Sequence, residues 1–155
     1  MMSILQIDTM IDKCSYKVSI QTMRAIIKTE SDYNPLAINL NGGFKLKHQP
    51  QNYLQAINWV NYLEYHHYNI DIGLAQVNIK NAHKFGFKAR DMLDACTNIK
   101  LASVLLHDSY VRVYNPHEDK QVSLYKALSE YNTGNYYAGI RNGYVNKIIH
   151  HVSIK

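Results

Sequence analysis

One carboxylate stands out by its position. Ile20, Met23 and Ile27 recur at steps of three and four, which puts them on one face of a helix. The next step along that face falls on Glu30. Burial there disfavours the charged form, and so does the negative end of the helix dipole. Asn34-Pro35 follows, and proline pushes the residue before it out of the helical region, so the helix is predicted to stop about here. A carboxyl that keeps its proton at a helix end beside a turn suits general acid catalysis. On this pattern alone, a helix-end glutamate turned to solvent remains open as the alternative.

Other chemistries find less support. His66-His67 and His150-His151 are adjacent pairs, and adjacent helical residues point to different faces, so no metal site is expected. Gly42-Gly43 lacks the Gly-Lys-Ser/Thr that would make a phosphate loop, and no G-x-S-x-G elbow occurs. What remains is acid–base work on Glu30, with polar residues that could converge on it: Gln76 and Asn78, then Asn98, then Tyr131 and Asn132. Neutral amides and a phenol hold sugar hydroxyls and acetamido groups without fixing a charge. Each of these residues alone also serves commonly as a cap or turn residue.

The elements that must position these groups are mainly helical. The helix bearing Glu30 starts near Val18. Residues 36–50 read as a loop around Asn41-Gly42-Gly43, and Pro50 can open a helix running to His66 with Tyr53, Ile57, Val60 and Leu63 on one face. Residues 69–78 are extended or irregular. Short helical turns are expected over 79–84 and 89–95. Thr97 can cap a long helix that faces Leu101, Ala102, Leu105 and Leu106 inward and runs to about Val113. Val122, Tyr125 and Leu128 mark another helix, Asn132-Thr133-Gly134 a turn, and Tyr144, Val145, Ile148, Ile149 and Val152 a last helix. Trp59, the sole tryptophan, suits a core or a groove wall.

The 155 residues suit one domain, 1–155, with a real core. Hydrophobic residues at 46% and charged residues at 19% fit a soluble globular chain. No apolar run reaches the length of a membrane span, and the start, MMSILQIDTMIDKC, has no basic region followed by a long apolar one, so no signal peptide is visible. The net charge of +5 suits an anionic partner such as cell wall, but the lysines are scattered and no nucleic-acid motif occurs. Cys14 and Cys96 are too few for a zinc motif; composition leaves two buried thiols or one disulfide equally open.

Four segments, in order, carry a resemblance. Glu30-Ser31-Asp32-Tyr33-Asn34-Pro35-Leu36-Ala37 matches the E-S-x-x-N-P-x-A signature of lytic transglycosylases, the goose-type lysozyme-like group of glycoside hydrolase family 23. Gly73-Leu74-Ala75-Gln76-Val77-Asn78 resembles their G-L-M-Q-[IV] motif, Asn98-Ile99 their N-I-x-x-G helix start, and Ala127 to Gly134 their A-L-x-x-Y-N-x-G motif. The chain is most similar to the small wall-remodelling enzymes of type IV secretion and conjugation. It departs from the pattern at Asn39 (usually serine), at Ala75 (usually methionine), around Leu101-Ala102, and in an insertion from about Phe44 to Tyr68. These departures touch substrate contacts and leave Glu30 alone.

The resemblance implies a mainly α, lysozyme-like fold with a small strand-like segment beside an active-site cleft. It implies cleavage of the β-1,4 bond from N-acetylmuramic acid to N-acetylglucosamine in peptidoglycan, with closure of a 1,6-anhydro ring and no cofactor. Glu30 would be the catalytic residue, and Ser31, Gln76, Asn78, Tyr131 and Asn132 would bind substrate. A scheme needing only one carboxyl explains the lack of a convincing second one; Asp71 and Asp32 remain candidates if the enzyme is a hydrolase. The substrate implies a periplasmic location and a Cys14–Cys96 disulfide; a monomer is expected, with secretion-system components as its protein partners. The rivals are a hydrolytic muramidase of the same fold and a wall-binding assembly module; a nucleic-acid binder rests on charge alone.

Overall fold

The computed structural model describes residues 1–153. In chain order it has α1 (Ile4–Cys14), α2 (Ile20–Ser31), β1 (Ile38–Leu40), α3 (Tyr53–Tyr65), β2 (Ile70–Ile72), β3 (Val77–Asn78) and α4 (Ile79–Lys84). A 3-10 turn (Ala89–Leu93), α5 (Ala95–Val113), α6 (Lys120–Thr133), α7 (Ala138–Arg141) and α8 (Tyr144–Ser153) follow. The mainly helical expectation holds, with a small antiparallel sheet in the order β1-β2-β3.

The predicted apolar stripe is the buried face of α2. Met23, Ile26 and Ile27 are enclosed, each contributing about 2 kcal/mol by burial, and Ile20 packs at the edge of the same core. Ser19 caps the helix start by accepting from the Thr22 N–H. The helix stops at Ser31, earlier than Pro35 suggests, because Asp32 and Tyr33 both turn left-handed (φ 51° and 66°). α2 packs on α1 and α8, and α5 packs on α1 and α6, so the helix end bearing Glu30 is held from several sides.

Other boundaries differ locally. Helix α3 starts after Asn52, whose side chain accepts from Gln55 N–H, and its inward face is Ala56, Val60 and Leu63, with Tyr53 exposed. Asp94, not Thr97, caps α5; its Oδ2 accepts from both the N–H and the hydroxyl of Thr97. Residues 132–133 belong to α6, which ends at Gly134 in the left-handed region. Strand β1 lies in the stretch read as a loop. Its outer edge is closed by one side chain: Gln49 Oε1 accepts from Ile38 N–H, and Gln49 Nε2 donates to Ile38 C=O. Cys14 and Cys96 form a disulfide joining the end of α1 to the first turn of α5.

Candidate active site

Strand alternation builds one wall of the site. Ile38, Ile72 and Val77 stand across from one another and point into the core. The row between them is Asn39, Asp71 and Asn78, which faces the opposite side. That side is a cavity of about 630 Å³, within the range of ligand sites. Asp71 and Asn78 line it from the sheet, Gln76 from the turn between β2 and β3, Asn81 and Lys84 from α4, Leu105 and Arg112 from α5, and Tyr131 and Asn132 from α6. Glu30, at the end of α2, reaches into it.

The turn between β2 and β3 is fixed from below. Asn98 is fully buried; its Nδ2 donates to the Ile72 and Met92 carbonyls, and its Oδ1 accepts from Ala75 N–H. Gly73 sits against it with φ +78°, and a Cβ there would lie 2.4 Å from both Asn98 Nδ2 and the Met92 carbonyl oxygen. Only glycine fits this junction. Asn98 thus supports the cleft without entering it.

Glu30 has the most perturbed carboxyl in the cavity. Burial lifts its pKa from 4.5 to about 7; the nearby Tyr144 hydroxyl partly offsets the rise, and the charge of Asp71 adds to it. Tyr144 opens α8, and its enclosed hydroxyl makes no hydrogen bond of normal geometry, though it lies close enough to Glu30 to act on it. Burial, then the charges of Glu30 and Asp71, keep the Tyr131 phenol protonated; its hydroxyl donates to Ala75 C=O at 2.7 Å. Glu130 also lines the cavity. Burial alone would raise it, but the Arg112 guanidinium and the Ser109 hydroxyl hold it below the usual carboxylate value. Glu30 is therefore the carboxyl suited to carry a proton near neutral pH.

The structure brings Glu30, Gln76, Asn78, Tyr131 and Asn132 to one cavity. Ser31 is placed otherwise: its hydroxyl donates to Leu74 C=O at 2.7 Å, tying α2 to the turn, and it does not line the cavity. Much of the Gln76 amide is also engaged. Its Nε2 donates to the Ala37 and Gly73 carbonyls, and its Oε1 accepts from Asn39, the position where the resembled pattern has serine. Asn78 donates to Asp71 and to Asn69, and Asn132 accepts from Asn142. Asp32, the other carboxylate considered for a hydrolase, is exposed and pairs with Lys28 outside the cavity. Trp59 lies on α3 in a separate groove with Phe44 and Tyr68.

Sequence reasoning assigned Tyr144 to an apolar helix face and gave it no place at the site. The available signal was a hydroxyl on an otherwise aliphatic face, which needs a reason to be buried. Asn41 and Asn69 were also missed, since amides in turn-rich stretches read as turn residues.

Comparison with known proteins agrees with this architecture. Residues 10–147 match the family described as the transglycosylase SLT domain. The chain is 34% identical over 147 residues to "Protein virB1" of Rhizobium radiobacter, covering 95% of this chain and 61% of that protein. It is 36% identical over 143 residues to "Type IV secretion system protein virB1" of Brucella abortus biovar 1 (88% and 60% covered). It is 37% identical over 137 residues to "Protein virB1" of Agrobacterium fabrum (88% and 55% covered). The chain thus spans about three fifths of the length of these relatives. No solved structure matches it. With the match running from within α1 into α8 and taking in every residue that forms the cavity, the chain belongs to the transglycosylase SLT domain family.

Proposed function

We propose that this chain is a peptidoglycan lytic transglycosylase, acting as a single-domain monomer in the periplasm to open the wall for a type IV secretion or conjugation apparatus. The observation that carries the proposal is Glu30: the one carboxyl of a polar cavity lifted to about 7, a value that suits both giving and taking a proton. The family supplies the reaction class, and the printed names of the relatives supply the setting. No helix among the described residues is long and apolar enough to cross a membrane.

In this reading Glu30 protonates the glycosidic oxygen between N-acetylmuramic acid and N-acetylglucosamine, and that C–O bond breaks. The muramyl 6-hydroxyl then attacks the anomeric carbon and gives its proton to ionised Glu30. The ring closes as a 1,6-anhydro sugar, Glu30 regains its proton, and no water is consumed. Tyr144 and Tyr131 set the surroundings of the carboxyl. The remaining hydrogen-bonding capacity of Asn78, Asn132 and Gln76 meets sugar substituents, while Ser31 holds the helix end on the turn.

The test is mass analysis of digested peptidoglycan. Anhydro ends, one water lighter than reducing ends, are expected from the parent, and no cleavage from Glu30→Gln. Reducing ends would assign a hydrolytic muramidase instead. Wall clearance by Glu30→Gln at the parent rate would overturn the mechanism, and binding without cleavage by the parent itself would leave a wall-binding assembly module.

A further inference from the structure

Asp71 is left unused by the mechanism above, yet it occupies the centre of the polar row on the sheet, between Asn39 and Asn78. It is half-buried and lines the same cavity as Glu30. Its Oδ1 accepts from Asn78 Nδ2 at 2.8 Å and its Oδ2 from Asn41 Nδ2 at 3.2 Å. Among the described residues no Lys, Arg or His forms an ion pair with it. The titratable groups that feel its charge are Glu30 from α2 and Tyr131 from α6. Lys84 of α4 and Arg112 of α5 also line the cavity, and Arg112 is paired with Glu130.

This is an unusual arrangement for structure alone. A partly buried carboxylate without a counter-ion is costly, and two neutral amides only partly offset that cost. Burial raises the Asp71 carboxyl above its ordinary value, and the two amides hold part of that rise back. Two N–H donors stabilise the charged form of Asp71, whereas Glu30 has only the loosely placed Tyr144 hydroxyl. Glycosidic cleavage passes through a sugar with oxocarbenium character, so positive charge appears in the cavity at the moment of reaction. A fixed negative charge aimed into that space is worth most then.

Resting on the transglycosylase reading, we propose that Asp71 is the electrostatic partner of Glu30. It stays ionised through the reaction, favours the protonated form of Glu30 before the bond breaks, and balances the positive charge that develops on the sugar. It transfers no proton and forms no bond. The two carboxyls then titrate as a coupled pair and give a bell-shaped profile: the acid limb reports loss of the Asp71 charge, the alkaline limb loss of the Glu30 proton.

The experiment is the pH dependence of glycan cleavage by the parent, Asp71→Asn, Asn41→Ala and Glu30→Gln, scored as bonds broken whatever the end group. Asp71→Asn is expected to lower kcat by about 10–100-fold with KM changed less than about twofold, as for an interaction made mainly in the transition state. It should also abolish the acid limb and move the alkaline limb to lower pH. Asn41→Ala changes only an exposed loop residue; loss of its amide should move the acid limb to higher pH, and it keeps the question open to test if Asp71→Asn does not fold. Parent-like kcat and limbs in Asp71→Asn would overturn the inference, and so would a lower kcat with both limbs unmoved. An acid limb unchanged in Asn41→Ala would overturn it too. If Glu30→Gln is inactive in the same series, any of those results removes Asp71 alone. If Glu30→Gln cleaves like the parent, the transglycosylase reading itself falls.

Discussion

Replacing Glu30 by glutamine should make the protein more stable at alkaline pH while removing its activity. The Glu30 carboxyl titrates at about 7 in the folded protein against an ordinary 4.5, chiefly because burial penalises its charged form. In the unfolded chain it loses its proton at the lower value. Between those two values the folded state therefore holds more protons than the unfolded one, and stability falls as pH rises. The stability tied to the protonated carboxyl is fully present below about pH 4.5 and lost as pH climbs through about 7. A difference of about 2.5 pH units at roughly 1.4 kcal/mol per unit gives a penalty of about 3 kcal/mol above pH 7. Glutamine keeps the shape and cannot ionise. Urea unfolding of parent and Glu30→Gln at pH 5 and pH 8 reads the effect as midpoint differences at constant slope. The variant should lead by less than about 1 kcal/mol at pH 5 and by about 3 kcal/mol at pH 8. Equal stability at pH 8 would mean that the carboxyl is solvated and ordinary, and the account of how it stays protonated would be refuted.

Four further perturbations probe the site and the frame around it. Tyr144→Phe removes a hydroxyl that holds Glu30 down, so the alkaline limb of the cleavage profile should move to higher pH; the fold should lose little, because that hydroxyl makes no normal hydrogen bond. Gly73→Ala drives a Cβ to within 2.4 Å of the Met92 carbonyl oxygen at positive φ and should cost about 3 kcal/mol or more, a fall of about 10 °C in Tm. Gly43→Ala, at φ +84° with no neighbour within 4 Å, should cost only about 1 kcal/mol by the same thermal melt. Reducing the Cys14–Cys96 bond frees a loop spanning 82 residues and should lower stability by about 4 kcal/mol, read as a denaturant midpoint with and without reductant.

How far the site could be read in advance depended on the length of the pattern behind each residue. Glu30 was legible because three apolar positions set the phase of its helix before it. The long helix 95–113 and the last helix were legible for the same reason. Strand β1 was not, because three residues beside a glycine turn give alternation too little room to register. That short strand matters, since its pairing with β2 puts Asn39 beside Asp71 and opens the polar row to the cavity. Residue chemistry alone also misjudged how side chains are spent. Gln76 and Asn98 read as sugar-facing amides, but most of their hydrogen bonds secure the turn around Gly73, which required knowing where Ala37, Ile72 and Met92 lie. The disulfide needed the contact between α1 and α5, 82 residues apart. Tyr144 needed the docking of α8 on α2, which no local pattern encodes.

The central claim is that one residue, Glu30, gives a proton and then takes one back from the substrate, with no water entering. Digestion of peptidoglycan in ¹⁸O-labelled water tests this directly by mass spectrometry of the released muropeptides. The account predicts anhydro-muramyl ends free of ¹⁸O from the parent and no release from Glu30→Gln; ¹⁸O at the reducing ends, or release by the variant, would contradict it.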